Sequence, residues 1–193
     1  YSTGVCMRCR RACYTRRMRE LCKIDVLHDE RLRQGIAGRG LAMLVAGLLV
    51  ALLLAALGVR DELGPLAWIA LLLISLGLAL PVHELIHAAA FRLLGGPSVR
   101  VRFGYAKGML WASAAGVILS RRRFVAVLLA PVTVLSLTFL ACGVTLGCPL
   151  LGWLCFAVHL SGCSGDLAMV CAICARRDCT HVRDSDCGID LLG

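Results

Sequence analysis

Long apolar stretches dominate the hydropathy pattern and predict helices that cross a membrane. Residues 40–59 and residues 63–82 carry no charged side chain. Since an α-helix rises 1.5 Å per residue, a run of about 20 apolar residues crosses the hydrocarbon core of a bilayer. The second run continues as helix-compatible sequence to Leu94, where Gly95, Gly96 and Pro97 form a strong helix stop. The pattern therefore predicts two transmembrane spans in this part of the chain.

The segment 124–175 predicts two further spans. Apart from cysteine, its only ionisable side chains are His159 and Asp166. The segment is too long for one helix, and Gly147, Pro149 and Gly152 mark a hairpin between a third and a fourth span. The predicted fold class is therefore an all-α polytopic membrane protein with about four transmembrane helices.

The segment between spans two and three has a period of two residues. Val99, Val101 and Phe103 alternate with arginines, and residues 104–108 can turn the chain toward residues 109–112. This pattern predicts a small β-hairpin. One interpretation is that the edge of the hairpin pairs with an extended peptide substrate. The other is that the hairpin merely anchors Trp111 and the arginines at the lipid headgroups.

Composition and charge agree with a membrane location. The 193-residue chain is 59% hydrophobic, which is more than a soluble domain of this length can bury. All of its 21 Lys and Arg residues except Arg60 lie on segments that become cytoplasmic if both termini are in the cytoplasm. The formal net charge of +9 then indicates contact with anionic membrane lipids and not with nucleic acid. The oligomeric state has no signature in the sequence.

These features divide the chain into three parts. Residues 1–39 form a basic, cysteine-rich cytoplasmic arm, residues 40–175 form the four-span core, and residues 176–193 form a cytoplasmic tail. Within the arm, residues 14–34 interleave apolar and basic side chains, which is typical of a helix lying on the membrane surface. A solvated arm is the alternative.

Two groups of the twelve cysteines are candidates for additional metal sites. The arm carries a C-x2-C-x3-C-x8-C pattern formed by Cys6, Cys9, Cys13 and Cys22. Only one pair in this pattern has good spacing for metal ligands. A weaker candidate in the tail consists of Cys174, Cys179, His181 and Cys187. The cysteines in or beside spans three and four are expected to behave as small apolar residues.

The clearest chemical motif is HELIH, residues 83–87, on the last third of span two. Two histidines four residues apart on a helix project from one face, so His83 and His87 can bind one Zn²⁺. Glu84 lies beside them, where it can accept a proton from metal-bound water. The alternative is that both histidines have a structural role, with their ring nitrogens hydrogen-bonded inside the helix bundle and Glu84 as their partner.

A catalytic zinc needs a third protein ligand, and Asp166 is the candidate. No His follows at the metzincin spacing, no Glu occurs after Glu84, and Asp166 is the only aspartate inside a predicted span. Counted from Leu94 and Ala175 as the cytoplasmic ends of their spans, the motif and Asp166 both lie roughly 14 Å deep. A structural hydrogen-bonding role is the alternative for Asp166. His159 is a possible substrate-binding residue or a partner of a zinc ligand. A structural role, with its ring hydrogen-bonded inside the helix bundle, is equally compatible with the pattern.

With these residues in hand, the chain resembles the zincin peptidases of unknown function that are related to site-2 proteases. The resemblance rests on HELIH and on the segments FRLLGG (91–96), VRFGY (101–105) and SGCSGD (161–166), and it covers roughly residues 63–188. It implies that His83 and His87 bind zinc, that Glu84 is the base and that Asp166 is the third ligand. Better-studied site-2 proteases place an Asn before this Asp, whereas this chain contains no Asn and has His159 near that position.

These observations predict a zinc-dependent intramembrane metalloprotease. It would hydrolyse peptide bonds in or near the spans of a membrane-protein or peptide substrate, with zinc-bound water activated by Glu84. Two other classes of function use the same residues, namely a catalytically silent membrane scaffold or chaperone and a metal or proton transporter. Zinc held by four protein ligands, for instance with His159 also bound, would favour the scaffold. Metal flux would favour the transporter.

Overall fold

The computed structural model describes residues 18–106, 109–185 and 187–193. Within these residues the helices are α1 Glu30–Ala56, α2 Pro65–Gly95, α3 Arg121–Thr145, α4 Pro149–Gly162 and α5 Ser164–Ala175. The strands are β1 Glu20–Asp25, β2 Arg102–Ala106, β3 Met109–Ser113, β4 Ile118–Ser120, β5 His181–Ser185 and β6 Gly188–Leu192. The described part is mostly helical but contains two small sheets, so the expectation of an all-α fold with a single small β-hairpin is corrected by the additional four-stranded sheet.

Three helices, α1, α2 and α3, are each long and apolar enough to cross a membrane. Helices α4 and α5 meet at 54° and pass the same test together, so the described residues hold three spans, or four if the bent pair is one span. Helix α2 turns large side chains outward, since Leu66, Leu73 and Leu80 are 84%, 65% and 66% exposed. Apolar surfaces of this extent are typical of contact with lipid. The chain is therefore a membrane protein.

Helix α1 begins well before the apolar run that starts at residue 40. The Asp29 carboxylate caps it by accepting a hydrogen bond from the Leu32 N–H at 3.0 Å. The residues just before this cap form strand β1, which pairs with β6. The prediction of a surface helix over residues 14–34 is therefore wrong for the described residues, because a strand replaces its middle and its last part belongs to α1.

A four-stranded antiparallel sheet covers one end of the helix bundle. Its order is β1-β6-β5-β4, so the two tail strands lie between the strand from the N-terminal arm and the strand that precedes α3. Val182, Ile189 and Leu191 are at most 1% exposed and pack in one cluster with Phe124 of α3 and Ile173 of α5. The tail is thus part of the folded core.

Strands β2 and β3 form the β-hairpin that the two-residue period predicts between spans two and three, but β2 begins at Arg102 and includes residues 104–106, which the pattern assigns to the turn. Phe103 lies opposite Ala112, and Gly104 lies opposite Trp111. A Cβ atom at Gly104 would overlap the Trp111 ring, so the glycine allows the ring to lie against β2. Among the described residues β3 pairs with β2 alone, which leaves its other edge without a strand partner.

Close packing of α1 on α4 supports the bend between α4 and α5. A Cβ atom at Gly47 would be 2.5 Å from the Cβ of Ala157, and one at Gly40 would be 2.9 Å from the carbonyl oxygen of Ser161. Small residues commonly permit such approaches between helices in membranes. Helix α1 therefore packs along the length of α4 that leads into the bend.

At the other end of the bundle, Asp61 in the α1–α2 loop fixes the start of α4. Its two carboxylate oxygens accept hydrogen bonds from the backbone N–H groups of Leu150 at 2.8 Å and Leu151 at 2.9 Å. The Trp68 indole of α2 also donates to it, at 2.6 Å. Because the first N–H groups of a helix lack partners within the helix, this carboxylate both caps α4 and ties it to α2.

We predict that Asp61→Ala lowers the free energy of unfolding by about 1–2 kcal/mol, because the first N–H groups of α4 lose their acceptor. Equilibrium unfolding in mixed detergent micelles measures this difference. The control is Glu62→Ala, which removes the neighbouring exposed carboxylate and should stay within about 0.5 kcal/mol of the wild type. Equal losses in the two variants would contradict the assigned role of Asp61.

Candidate metal centre

Helix α2 presents both motif histidines to the same side of the bundle. The ring centroids of His83 and His87 are 4.8 Å apart, and His87 is 6% exposed. The Nδ1 atom of His87 lies 3.1 Å from the backbone oxygen of Val127 on α3. Since a carbonyl oxygen only accepts, His87 Nδ1–H is the donor, and the Nε2 atom keeps its lone pair for a metal.

Asp166 reaches these histidines from the first turn of α5. Its Oδ2 atom lies 3.2 Å from His83 Nε2 and 3.5 Å from His87 Nε2. One ligand atom from each of the three residues lies within 4.8 Å of the other two. The structure therefore brings together the two histidines and the distant carboxylate that the sequence singles out. We refer to His83, His87 and Asp166 as the metal triad.

The donor set and spacing of the metal triad fit a zinc ion. Two imidazole nitrogens and one carboxylate oxygen are a known ligand set of catalytic zinc, with bonds of about 2.0–2.2 Å. Ligand atoms at such distances in a tetrahedron are about 3.3 Å apart. The separations of 3.2 and 3.5 Å are close to this value, and the three side chains are at most 15% exposed.

His159 lies on the opposite edge of the His83 ring from Asp166. Its Nε2 atom is 3.2 Å from His83 Nδ1. The Sγ atom of Cys163 is 3.8 Å from the same His83 nitrogen and 3.5 Å from His159 Nε2. His159 is therefore outside the metal triad but contacts one of its members. We refer to His83, His159 and Cys163 as the thiol cluster.

Glu84 lines a cavity of about 600 Å³ that also reaches the metal triad. The residue is 8% exposed, and the backbone of Ala112 on β3 lies beside its carboxylate. Trp111 lines the same cavity, as do residues at the turn between β5 and β6. Trp111 thus faces the interior of the site, and the cavity has the volume expected of a ligand-binding cleft.

Asp184 attaches the hairpin to the four-stranded sheet. Its Oδ2 atom accepts hydrogen bonds from Ser113 Oγ at 2.8 Å and from the Ala114 N–H at 2.7 Å, and the residue is 8% exposed. Asp184 is not conspicuous in the sequence because it lies in a short polar tail. The available signal is its spacing of two from Val182, which puts both residues on the buried face of β5.

The predicted arm site lies mostly outside the described residues, and the predicted tail site is not gathered within them. Cys6, Cys9 and Cys13 of the arm candidate lie outside the described residues, and Cys22 is on β1. No metal-ligand group in the described part of the chain contains two members of the tail candidate.

One tail cysteine has neighbours of a different kind, since Cys187 lies near Asp25 and His28. The His28 backbone N–H donates to Asp25 Oδ1 at 2.9 Å. This bond, together with the imidazole of the same residue, holds the pKa of Asp25 below its ordinary value. The carboxylate is thus already engaged by its own turn.

Comparison with known proteins adds one finding. The family model described as "Putative zincin peptidase" matches residues 76–180, just over half of the chain. The matched region contains the metal triad, Glu84, His159 and the hairpin, and it ends before β5. Neither the curated proteins nor the solved structures include a match to this chain.

We predict that Asp166→Ala loses about one zinc ion per chain relative to the wild type. Removing one of three ligands should weaken zinc binding by more than about 100-fold, because even the loss of a group that only supports a ligand costs up to that factor. Metal analysis of the purified chain measures the content. The control is Asp178→Ala, which removes an exposed tail aspartate and should leave the content unchanged. Equal zinc in both variants would reassign the ligands.

Proposed function

Since the chain belongs to the "Putative zincin peptidase" family, we propose that it is a zinc-dependent membrane peptidase of the site-2 protease type. The observation that supports this most directly is the metal triad, whose ligand atoms converge beside Glu84. Placing two imidazoles and a carboxylate among apolar membrane helices costs free energy. Groups of this kind inside a membrane therefore usually have a function. Zinc is the cofactor that the family and the donor set both favour.

The position of His159 supports an enzyme over a scaffold with a saturated metal. His159 contacts the Nδ1 edge of His83, whereas Asp166 contacts the Nε2 edge. The metal triad therefore offers three protein ligands and leaves a fourth position for water or substrate. An open position of this kind is typical of catalytic zinc, whereas structural zinc usually has four protein ligands.

Glu84 is the proposed general base. When bound, zinc supplies a Lewis acid that activates water and polarises the carbonyl group of a peptide bond. In the proposed hydrolysis, Glu84 accepts a proton from the attacking water and donates it to the leaving amine as the C–N bond breaks. Its low exposure, at 8%, limits contact with bulk water during this transfer.

The substrate proposed is a peptide segment that lies in an extended conformation along β3. The edge of this strand that has no strand partner among the described residues faces the cavity, where the Ala112 backbone hydrogen-bonds to Glu84. A strand edge binds an extended chain through backbone hydrogen bonds. A transmembrane helix shields its own peptide bonds in the same way, so a membrane-protein substrate must unwind before it pairs with β3.

The four-stranded sheet is proposed to lie on the cytoplasmic side. Strand β1 pairs with β6, which supports placing the two ends of the described chain on one face of the membrane. Basic residues cluster at the helix ends next to this sheet, including Arg92, Arg121 and Arg176. An excess of such residues favours the cytoplasmic face and contact with anionic lipids.

We predict that Glu84→Gln keeps its zinc and cleaves a model single-span substrate at least about 100-fold more slowly, because the proton acceptor is lost while the metal triad is intact. Purified protein in liposomes or detergent, with zinc content measured on the same sample, provides the test. The control Glu62→Gln changes an exposed glutamate outside the cavity and should cleave at the wild-type rate. Undiminished cleavage by the Glu84 variant would exclude it as the base.

We also predict the direction of insertion. Alkaline phosphatase inserted at Arg60 should be active, because the loop between α1 and α2 faces away from the cytoplasm, whereas a fusion after Gly193 should be inactive. The pair of fusions controls for expression, since both carry the same reporter. Activity of the terminal fusion alone would reverse the proposed topology.

A further inference from the structure

The thiol cluster has the spacing of a second metal site. The three atoms His83 Nδ1, His159 Nε2 and Cys163 Sγ are separated by 3.2 Å between the nitrogens and by 3.8 and 3.5 Å between sulfur and nitrogen. In a tetrahedral site with Zn–N bonds of about 2.0–2.1 Å and Zn–S bonds of about 2.3 Å, those separations are about 3.3 and 3.6 Å. The three atoms therefore already lie close to three vertices of a tetrahedron.

Burial and access also suit a metal at this position. His159 is 8% exposed and Cys163 is 1% exposed, and both lie within or at the end of the apolar helix α4. The cavity that holds the metal triad also reaches His83, His159 and Cys163. An ion can thus enter the thiol cluster by the same route, without unfolding of the helix pair.

We propose that the thiol cluster binds a second metal ion, in addition to the ion of the metal triad. Two imidazole nitrogens and one thiolate favour borderline or soft ions such as Zn²⁺, Co²⁺ or Cd²⁺ over Mg²⁺ and Ca²⁺. Binding releases two protons to solvent, one from Cys163 Sγ and one from the Nδ1 atom of His83. With both ions bound, His83 would contribute its Nε2 atom to the metal triad and its Nδ1 atom to the thiol cluster.

The second site binds more weakly than the first. In the singly loaded chain His83 Nδ1–H donates to His159 Nε2, a contact that fixes the orientation of a zinc ligand. The second ion must displace that proton, and it must bind next to another cation. Both requirements cost binding free energy, so the thiol cluster fills at a higher metal concentration than the metal triad. The site does not require peptidase activity, because none of its three atoms acts in the proposed hydrolysis.

Cobalt titration of the full chain in detergent tests this proposal, because a cobalt–thiolate bond absorbs in the near ultraviolet. We expect the wild type to gain about one more cobalt ion per chain than Cys163→Ser, together with the thiolate absorption that the variant lacks. The matched control is Cys155→Ser, which changes another buried cysteine of α4 that is 2% exposed and lies outside the cavity. It should titrate like the wild type.

Two further variants separate this proposal from the proposed function. His159→Ala should lose the same absorption although Cys163 is intact, and this loss distinguishes ligation from a general effect of the serine substitution. Asp166→Ala should lose the first ion but keep the absorption that depends on Cys163. Identical titrations of the wild type, Cys163→Ser and His159→Ala would overturn the second site, whatever the result for Asp166→Ala.

Discussion

The meeting of Asp166 with the two histidines of α2 is the constraint on which the rest of the structure depends. Three polar side chains come from two helices into an apolar interior, where an unpaired charge is costly. The 54° bend between α4 and α5 brings the start of α5 to this level, and the close approach of α1 at Gly47 supports the helix before the bend. The carbonyl of Val127 orients His87 from a third helix. Each of these backbone features helps to position one imidazole or one carboxylate.

The two ends of the bundle are fastened in different ways, and the difference matters for the proposed chemistry. At one end a single carboxylate, Asp61, joins the start of α4 to α2. At the other end a sheet built from both ends of the described chain packs on the helices, and Asp184 fastens the hairpin to it. The edge of β3 that lacks a strand partner in the described part of the chain thereby lies against the cavity that contains Glu84. In the proposed function, this edge aligns an extended peptide beside Glu84.

The residues of the metal triad could be predicted from the sequence because each carries a local signal. The spacing of His83 and His87 is a property of one helix, and Asp166 is conspicuous as the only carboxylate in a long apolar stretch. The hairpin followed from its two-residue period. The four-stranded sheet could not be predicted in this way, because β1 pairs with β6 across almost the whole chain. Asp61, Asp184 and Cys163 also make long-range contacts. The short polar or cysteine-rich segments in which they lie carry no local pattern that predicts these contacts.

Anomalous diffraction at the zinc edge, from crystals of the zinc-loaded chain, shows whether His83, His87 and Asp166 share one zinc ion. We expect a peak about 2.0–2.2 Å from the Nε2 atoms of His83 and His87 and from a carboxylate oxygen of Asp166. A peak coordinated only by cysteines, or one bound to the histidines with the Asp166 carboxylate turned away, would contradict this expectation.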